Sequence, residues 1–215
     1  MDAVVTGGAG FIGSHVADAL LEHGGRVAVI DNLVGGRRDR VPAGAEFHEL
    51  DIRDHDAMQA VFDDVQPAAV FHLAAQADVR ASVDDPGFDA DVNVGGTIAV
   101  LECARSTGAR VVFSSTGGAL YGEAELIPSP ETTEPAPMSP YGTSKHGAEL
   151  YLSLFNRLYG TRHVVLRYGN VRSEEHTSGL QSPVVISYAV FWSSDVCSYD
   201  QIGRASCRER VSVVV

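Results

Sequence analysis

Short apolar runs alternate along the first 170 positions with longer stretches whose apolar residues recur at helical spacing. Residues 3–7 read as a buried strand, followed by a glycine turn and a helical pattern from about Ser14 to His23. Further strands are predicted at 26–30, ending in Asp31, and at 46–50, 68–72, 110–114 and 163–167. Between them, one helix capped by Asp54 runs to about Val65 and a longer one spans roughly Asp89 to Thr107, with Asn93, Gly96 and Thr97 on its early turns. A third is predicted to start after Ser139, a good N-cap, with Pro140 at its first position. Unbroken apolar strands separated by helices are the signature of a parallel sheet covered on both faces. The expectation is therefore α/β: a doubly wound, Rossmann-like parallel sheet.

Composition narrows the partners. The 215 residues carry 28 acidic against 16 basic side chains, a net charge of -12. Nucleic acid or an anionic membrane would call for a basic surface. No stretch approaches the roughly 20 apolar residues of a membrane span, and a first strand beginning at residue 3 leaves no room for a signal peptide. Cys103, Cys197 and Cys207 lack metal-ligand spacing, and the eight histidines show none of it either. His15, His72 and His146 are expected to pack or cap. No metal is expected, and the setting is expected to be cytoplasmic.

Two features carry chemistry. The run Gly7-Gly8-Ala9-Gly10-Phe11-Ile12-Gly13 joins a strand to a helix, and Asp31 ends the next strand eighteen residues past Gly13. Such a turn brings backbone close to a pyrophosphate over a helix N-terminus, and a carboxylate at that place accepts ribose hydroxyls and repels a 2'-phosphate, selecting NAD over NADP. Among the sixteen Lys and Arg residues only Lys145 is a lysine, and it stands four residues after Tyr141, one turn along the same helix face. A nearby cation favours an ionised phenol, so Lys145 is expected to lower the Tyr141 pKa and poise it as a general base. Ser114, Ser115 and Thr116 place hydroxyls at the end of the fifth strand. Ligands of such sheets bind beyond the carboxyl ends of the strands, where these residues converge.

The motifs Gly-Gly-Ala-Gly-Phe-Ile-Gly-Ser-His (7–15), Asp31-Asn32-Leu33, Asp51-Ile52, His72-Leu73-Ala74-Ala75, the run from Ser115 to Gly122, Ser139-Pro140-Tyr141 with Lys145, and Leu166-Arg167-Tyr168-Gly169-Asn170-Val171 stand in order along the chain. Together they resemble the extended short-chain dehydrogenase/reductase family, the NAD-dependent epimerases and dehydratases, and within it the UDP-glucose 4-epimerase branch. The resemblance implies a tightly held NAD that is not consumed. Gly7, Gly10, Phe11, Ile12, Gly13, Asp31, Asn32, Asp51, Ile52, Leu73, Ala74, Ala75, Ala77, Asn93, Ser114, Tyr141, Lys145, Tyr168 and Gly169 would hold it. Tyr141 would take the proton of the sugar C4 hydroxyl as hydride passes to the nicotinamide, giving a 4-keto sugar that receives hydride on its other face. Lys145 would hold the ribose and the tyrosinate, with Thr116, or Ser115 as fallback, the hydroxyl partner. Thr116 and Asn170 would reach the nucleotide sugar, and a homodimer is a family expectation. A 4,6-dehydratase would need a carboxylate pair where Gly117 and Gly118 stand. The motifs leave room for a cofactor-releasing reductase of the same family, and for an inactive NAD-binding fragment.

The resemblance ends near Val171. Residues 1–171 are expected to form the NAD-binding domain, cut short of the small substrate domain. Residues 172–215 resemble translated sequencing-adaptor sequence and are expected to be a non-native or disordered tail, leaving the chain as written inactive.

Overall fold

Val4, Val5, Val29 and Ile30 are fully buried, so the first two strands carry apolar side chains on both faces, as a parallel sheet covered by helices demands. The computed structural model describes residues 1–123, 129–169 and 171, and the strand at 189–193. In chain order the elements are β1 (Ala3–Thr6), α1 (Phe11–Glu22), β2 (Val27–Asp31), β3 (Glu46–Glu49), α2 (His55–Val65) and β4 (Ala69–His72). They continue with α3 (Val79–Asp84), α4 (Pro86–Ala90), α5 (Gly96–Thr107), β5 (Arg110–Thr116), α6 (Pro140–Tyr159), β6 (Val164–Tyr168) and β7 (Ala189–Ser193). The strand order is β3-β2-β1-β4-β5-β6-β7. The first six run parallel and β7 antiparallel to β6. The chain steps outward from β1 to β3, then returns to place β4 beside β1, so the sheet switches direction between β1 and β4.

Two apolar layers flank the sheet. On one face Met58, Phe62, Leu101, Phe113 and Leu152 pack α2, α5 and α6 against it; on the other, Val5, Val27 and Val29 meet Ala17 and Leu20 of α1. Several predicted bounds shift by a residue or two, and α1 starts at Phe11 instead of Ser14 because Gly10 itself is the N-cap. The helix expected from Asp89 begins at Pro86 and is interrupted by a π turn, Asp91–Gly95, before continuing as α5. Such a turn widens the helix locally and often marks a functional site. β7 falls within the segment expected to stand outside the domain; the rest of 172–215 lies outside the described residues.

α6 starts as its sequence requires. The Ser139 hydroxyl accepts the Gly142 N–H at 3.1 Å, and Pro140 needs no partner for the N–H it lacks. Ser139→Ala is expected to lower the unfolding free energy by about 1 kcal/mol, measured by urea denaturation.

Candidate functional site

The glycine turn is shaped by close approach. Gly7 has φ +71°, and a Cβ there would sit 2.6 Å from the Ala74 nitrogen, while one at Gly13 would fall on the Gly7 carbonyl. Gly10 begins α1 with no side chain capping it, and the first turn holds no acidic residue. That leaves the positive end of the helix facing the crevice with its N–H groups presented to an anion. Phe11 is exposed, edge-on to His15, and Ile12 is half-buried. Asp31 ends β2 and is buried; its Oδ2 accepts the Ala9 N–H at 3.0 Å and its Oδ1 the Leu33 N–H at 2.8 Å. The carboxylate is thus pinned beside the turn.

Asp51 is more committed than the sequence suggests. Its Oδ1 accepts the N–H and Nε of Arg53, each at 2.9 Å, and its Oδ2 accepts Arg53 Nη2 at 2.9 Å and Asn32 Nδ2 at 3.1 Å. Arg53, chiefly through those hydrogen bonds, holds the Asp51 carboxyl well below the usual range. Ile52, expected to touch the cofactor, is buried, with its side chain against Gly96.

At the end of β4, Leu73 and Ala74 donate to the Thr6 carbonyl and hydroxyl at 3.0 and 3.3 Å. The buried His72 ring bridges Thr6 Oγ1 at Nδ1 (2.6 Å) and Thr97 Oγ1 at Nε2 (3.0 Å). Because the Thr97 hydroxyl donates to the Asn93 carbonyl at 2.6 Å, it can only accept from His72. Nε2 therefore carries the proton, and Nδ1 accepts from Thr6. Burial, with Lys145 adding to it, pushes His72 down to about 3, so the ring stays neutral. Asn93 lies in the π turn, its Oδ1 accepting the Gln76 N–H at 2.9 Å. Ala75 is half-buried and Ala77 exposed on the same loop.

Lys145 is 3% exposed, donates from Nζ to the Ser114 carbonyl at 3.0 Å, and lies 4.6 Å over the Phe113 ring. Burial pushes it down to about 8, with Asp89 and Glu149 working against that fall. Tyr141 does not behave as expected. Burial raises its phenol above the ordinary value, and the negative charge of Asp89 raises it further. A lysine one turn away is visible in the sequence; a carboxylate brought in from α4 is not. Ser115 has its proton committed: it donates to Glu149 Oε1 at 2.5 Å, within a buried cluster where Arg167 binds both Glu149 oxygens and the Tyr121 hydroxyl. Thr116 remains, half-buried, its hydroxyl accepting only the Ala119 N–H at 3.2 Å among the described residues. Tyr168 pairs with Thr116 across β5 and β6; burial raises its phenol, partly offset by a hydrogen bond from Ser114. Gly169 follows, half-buried, and Asn170 lies outside the described residues. Sequence reasoning missed Asp89, Glu149 and Arg167, whose importance is set by partners far away along the chain.

The sequence profile of the NAD dependent epimerase/dehydratase family matches residues 3–190. The chain belongs to that family. Its relatives include the UDP-glucose 4-epimerases of Streptomyces lividans, 45% identical over 170 residues, covering 78% of this chain and 51% of that protein, and of Mycolicibacterium smegmatis, 42% identical over 165 residues, covering 74% and 52%. Among solved structures, the UDP-glucose 4-epimerase of Thermotoga maritima with UDP-glucose matches with a TM-score of 0.79 at 48% identity, covering 80% of this chain and 57% of that one. That of Thermus thermophilus in complex with NAD matches at 0.77 and 47%, covering 80% and 56%. The chain spans about half the length of the curated relatives it matches. Among the described residues no helix is long and apolar enough to cross a membrane, and no cluster of His, Cys, Asp or Glu could hold a metal ion.

Within this epimerase/dehydratase framework the buried histidines have a thermodynamic consequence. His72 sits near 3 and the buried His163 near 4 when folded, both below the 6.5 of a free imidazole. The unfolded chain therefore takes up protons that the folded one refuses, and stability falls as pH drops from about 6.5 towards those values. Between pH 6.5 and 5 ordinary carboxylates contribute little, so the slope of urea-unfolding free energy with pH reports these rings. His72→Gln is expected to remove about 2 kcal/mol of that loss at pH 5; an unchanged slope would contradict a neutral buried His72.

Proposed function

We propose that this chain carries the cofactor-binding and proton-transfer half of a nucleotide-sugar 4-epimerase that interconverts UDP-glucose and UDP-galactose. The observation that carries the reading is the placement of Tyr141 and Lys145 on one face of α6, with Lys145 bonded under the end of β5 where Thr116 presents a hydroxyl. The 42–48% identity to UDP-glucose 4-epimerases supports the choice of substrate.

The residues present fit NAD. The uncapped start of α1 with Gly7, Gly10 and Gly13 suits a pyrophosphate, and Asp31 at the end of β2 suits the ribose hydroxyls. Asn32 and the Arg53-bound Asp51 border the adenine side, and Leu73, Ala74 and Ala75 line the other wall. When bound, oxidised NAD supplies a hydride acceptor and a positive ring charge. As the phenolate, Tyr141 takes the proton of the sugar hydroxyl and, as the phenol so formed, later returns it, serving as base and then as acid. Lys145, still mainly protonated at neutral pH, orients the ribose and stabilises the tyrosinate. Thr116 shares a hydrogen bond with the reacting oxygen.

Two experiments test these roles. In a form of the protein that converts UDP-galactose, Tyr141→Phe keeps the ring and removes the proton carrier; conversion is expected to fall at least about a hundredfold, and activity within tenfold of wild type would refute the assignment. Asp31→Asn keeps the shape and removes the charge that repels a 2'-phosphate. Calorimetric titration should show the preference for NAD over NADP shrinking by at least about tenfold, and an unchanged preference would count against the ribose role.

A further inference from the structure

We propose that Asp89 is a positioning residue for the tyrosine helix, tying the turn between Tyr141 and Lys145 to the loop after β4 and to the π turn, and supplying the negative charge that Tyr141 works against. The inference rests on the reading of Tyr141 as the proton carrier. Asp89 is fully buried on α4. Its Oδ2 accepts the Ser144 hydroxyl at 2.6 Å, and its Oδ1 accepts Gln76 Nε2 at 3.0 Å and Asn93 Nδ2 at 3.1 Å. Ser144 also lies 3.0 Å from the Tyr141 carbonyl. A hydroxyl has one proton, and the shorter contact to the charged acceptor takes it. Asn93 closes the ring: its Nδ2, which donates to Asp89, also donates to the Gln76 carbonyl at 2.9 Å and lies 3.2 Å from Ser144 Oγ. The α3 residue Ser82 adds a further clamp, accepting the Tyr141 N–H at 3.2 Å.

One buried carboxylate thus joins four segments that frame the site, and its charge is what distinguishes it from a neutral tie. The charged and titratable groups facing Tyr141 and Lys145 are Asp89 from α4, Glu149 from α6 itself and the neutral His72 from β4, with the Tyr168 phenol on β6 beside Ser114. Glu149 is matched by Arg167 at 2.6 Å, whereas among the described residues Asp89 makes no ion pair. Asp89 is therefore a negative charge at the site held without a direct ion pair among the described residues, and it favours the protonated forms of both the phenol and the ammonium.

Asp89→Asn removes the charge and keeps the shape, since the new amide can donate to Ser144, which then donates to the Tyr141 carbonyl. Phenolate absorbance is followed against pH in the 215-residue chain, and the Tyr141 transition is identified as the one missing from Tyr141→Phe. In Asp89→Asn it is expected about half a unit or more lower. An unmoved transition overturns the proposal. Should Asp89→Asn fail to fold, Ser144→Ala keeps the charge and cuts the tie; its NAD affinity, by calorimetry, is expected to fall about fivefold, and wild-type affinity overturns the proposal. Full activity in Tyr141→Phe would remove the catalytic reading while leaving the phenol shift standing, so the two failures are distinguishable.

Discussion

Withdrawing an ammonium from water is costly unless its protons and its charge are both met, and Lys145 imposes that condition on everything around it. The Ser114 carbonyl takes one proton and the Phe113 ring presents its face to the charge. Asp89 and Glu149 stand on either side. Each answer creates a further demand. Glu149 is itself buried and needs Arg167, which in turn is satisfied by the Tyr121 hydroxyl. Asp89 needs the three donors from Ser144, Gln76 and Asn93. The result is that α6 cannot rotate or slide against β5 without stranding a buried polar group, and Tyr141, one turn before the lysine, is held by the same constraint.

The other half of the crevice is held by backbone geometry more than by charge. The turn at Gly7 tolerates no side chain against Ala74, so β1 and β4 approach closely where the sheet changes direction. The Thr6–His72–Thr97 chain then locks these strands to the start of α5 without any ion. A neutral histidine suits this task because it offers one donor and one acceptor, and protonation would leave the Thr6 hydroxyl without the acceptor it donates to. The two halves meet at the π turn, where the Asn93 carbonyl serves Thr97 and the Asn93 side chain serves Gln76 and Asp89.

The alternation of strands and helices, the glycine turn and the Ser139-Pro140 start of α6 were legible in the sequence because each depends on residues close together in the chain. Alternation of apolar runs predicts a parallel sheet, and a cap needs only its own next three residues. What escaped was set by long-range contact. Nothing near Tyr141 announces Asp89, so the phenol was expected to be lowered and is raised. Sequence placed Thr116 ahead of Ser115 without seeing Glu149, thirty-four positions from Ser115, which takes the Ser115 proton and leaves Thr116 the freer hydroxyl. Ile52 sits beside a cofactor motif yet points into the space left by Gly96. The π turn had no sequence signal at all, because the extra residue shows only as a slip in helical register.

The same strand end bears on which reaction the fold can host. A dehydratase requires carboxylic groups that carry protons just after Thr116, and the chain has glycines at both places. Gly117 donates its N–H to the Tyr168 carbonyl at 2.6 Å, and a Cβ there would lie only 3.2 Å from that same oxygen. A carboxylate at 117 would thus begin its path pressed against an acceptor, while Gly118 is exposed. Epimerisation makes no such demand, because the proton removed from the substrate goes back to the same oxygen. One group that can both accept and release it is enough, provided its pKa is drawn from two sides. Burial and Asp89 raise the Tyr141 phenol; a cation brought against the ring, such as an oxidised nicotinamide, would act in the opposite direction. A site with one proton carrier suits the proposed redox-neutral inversion better than the net loss of water.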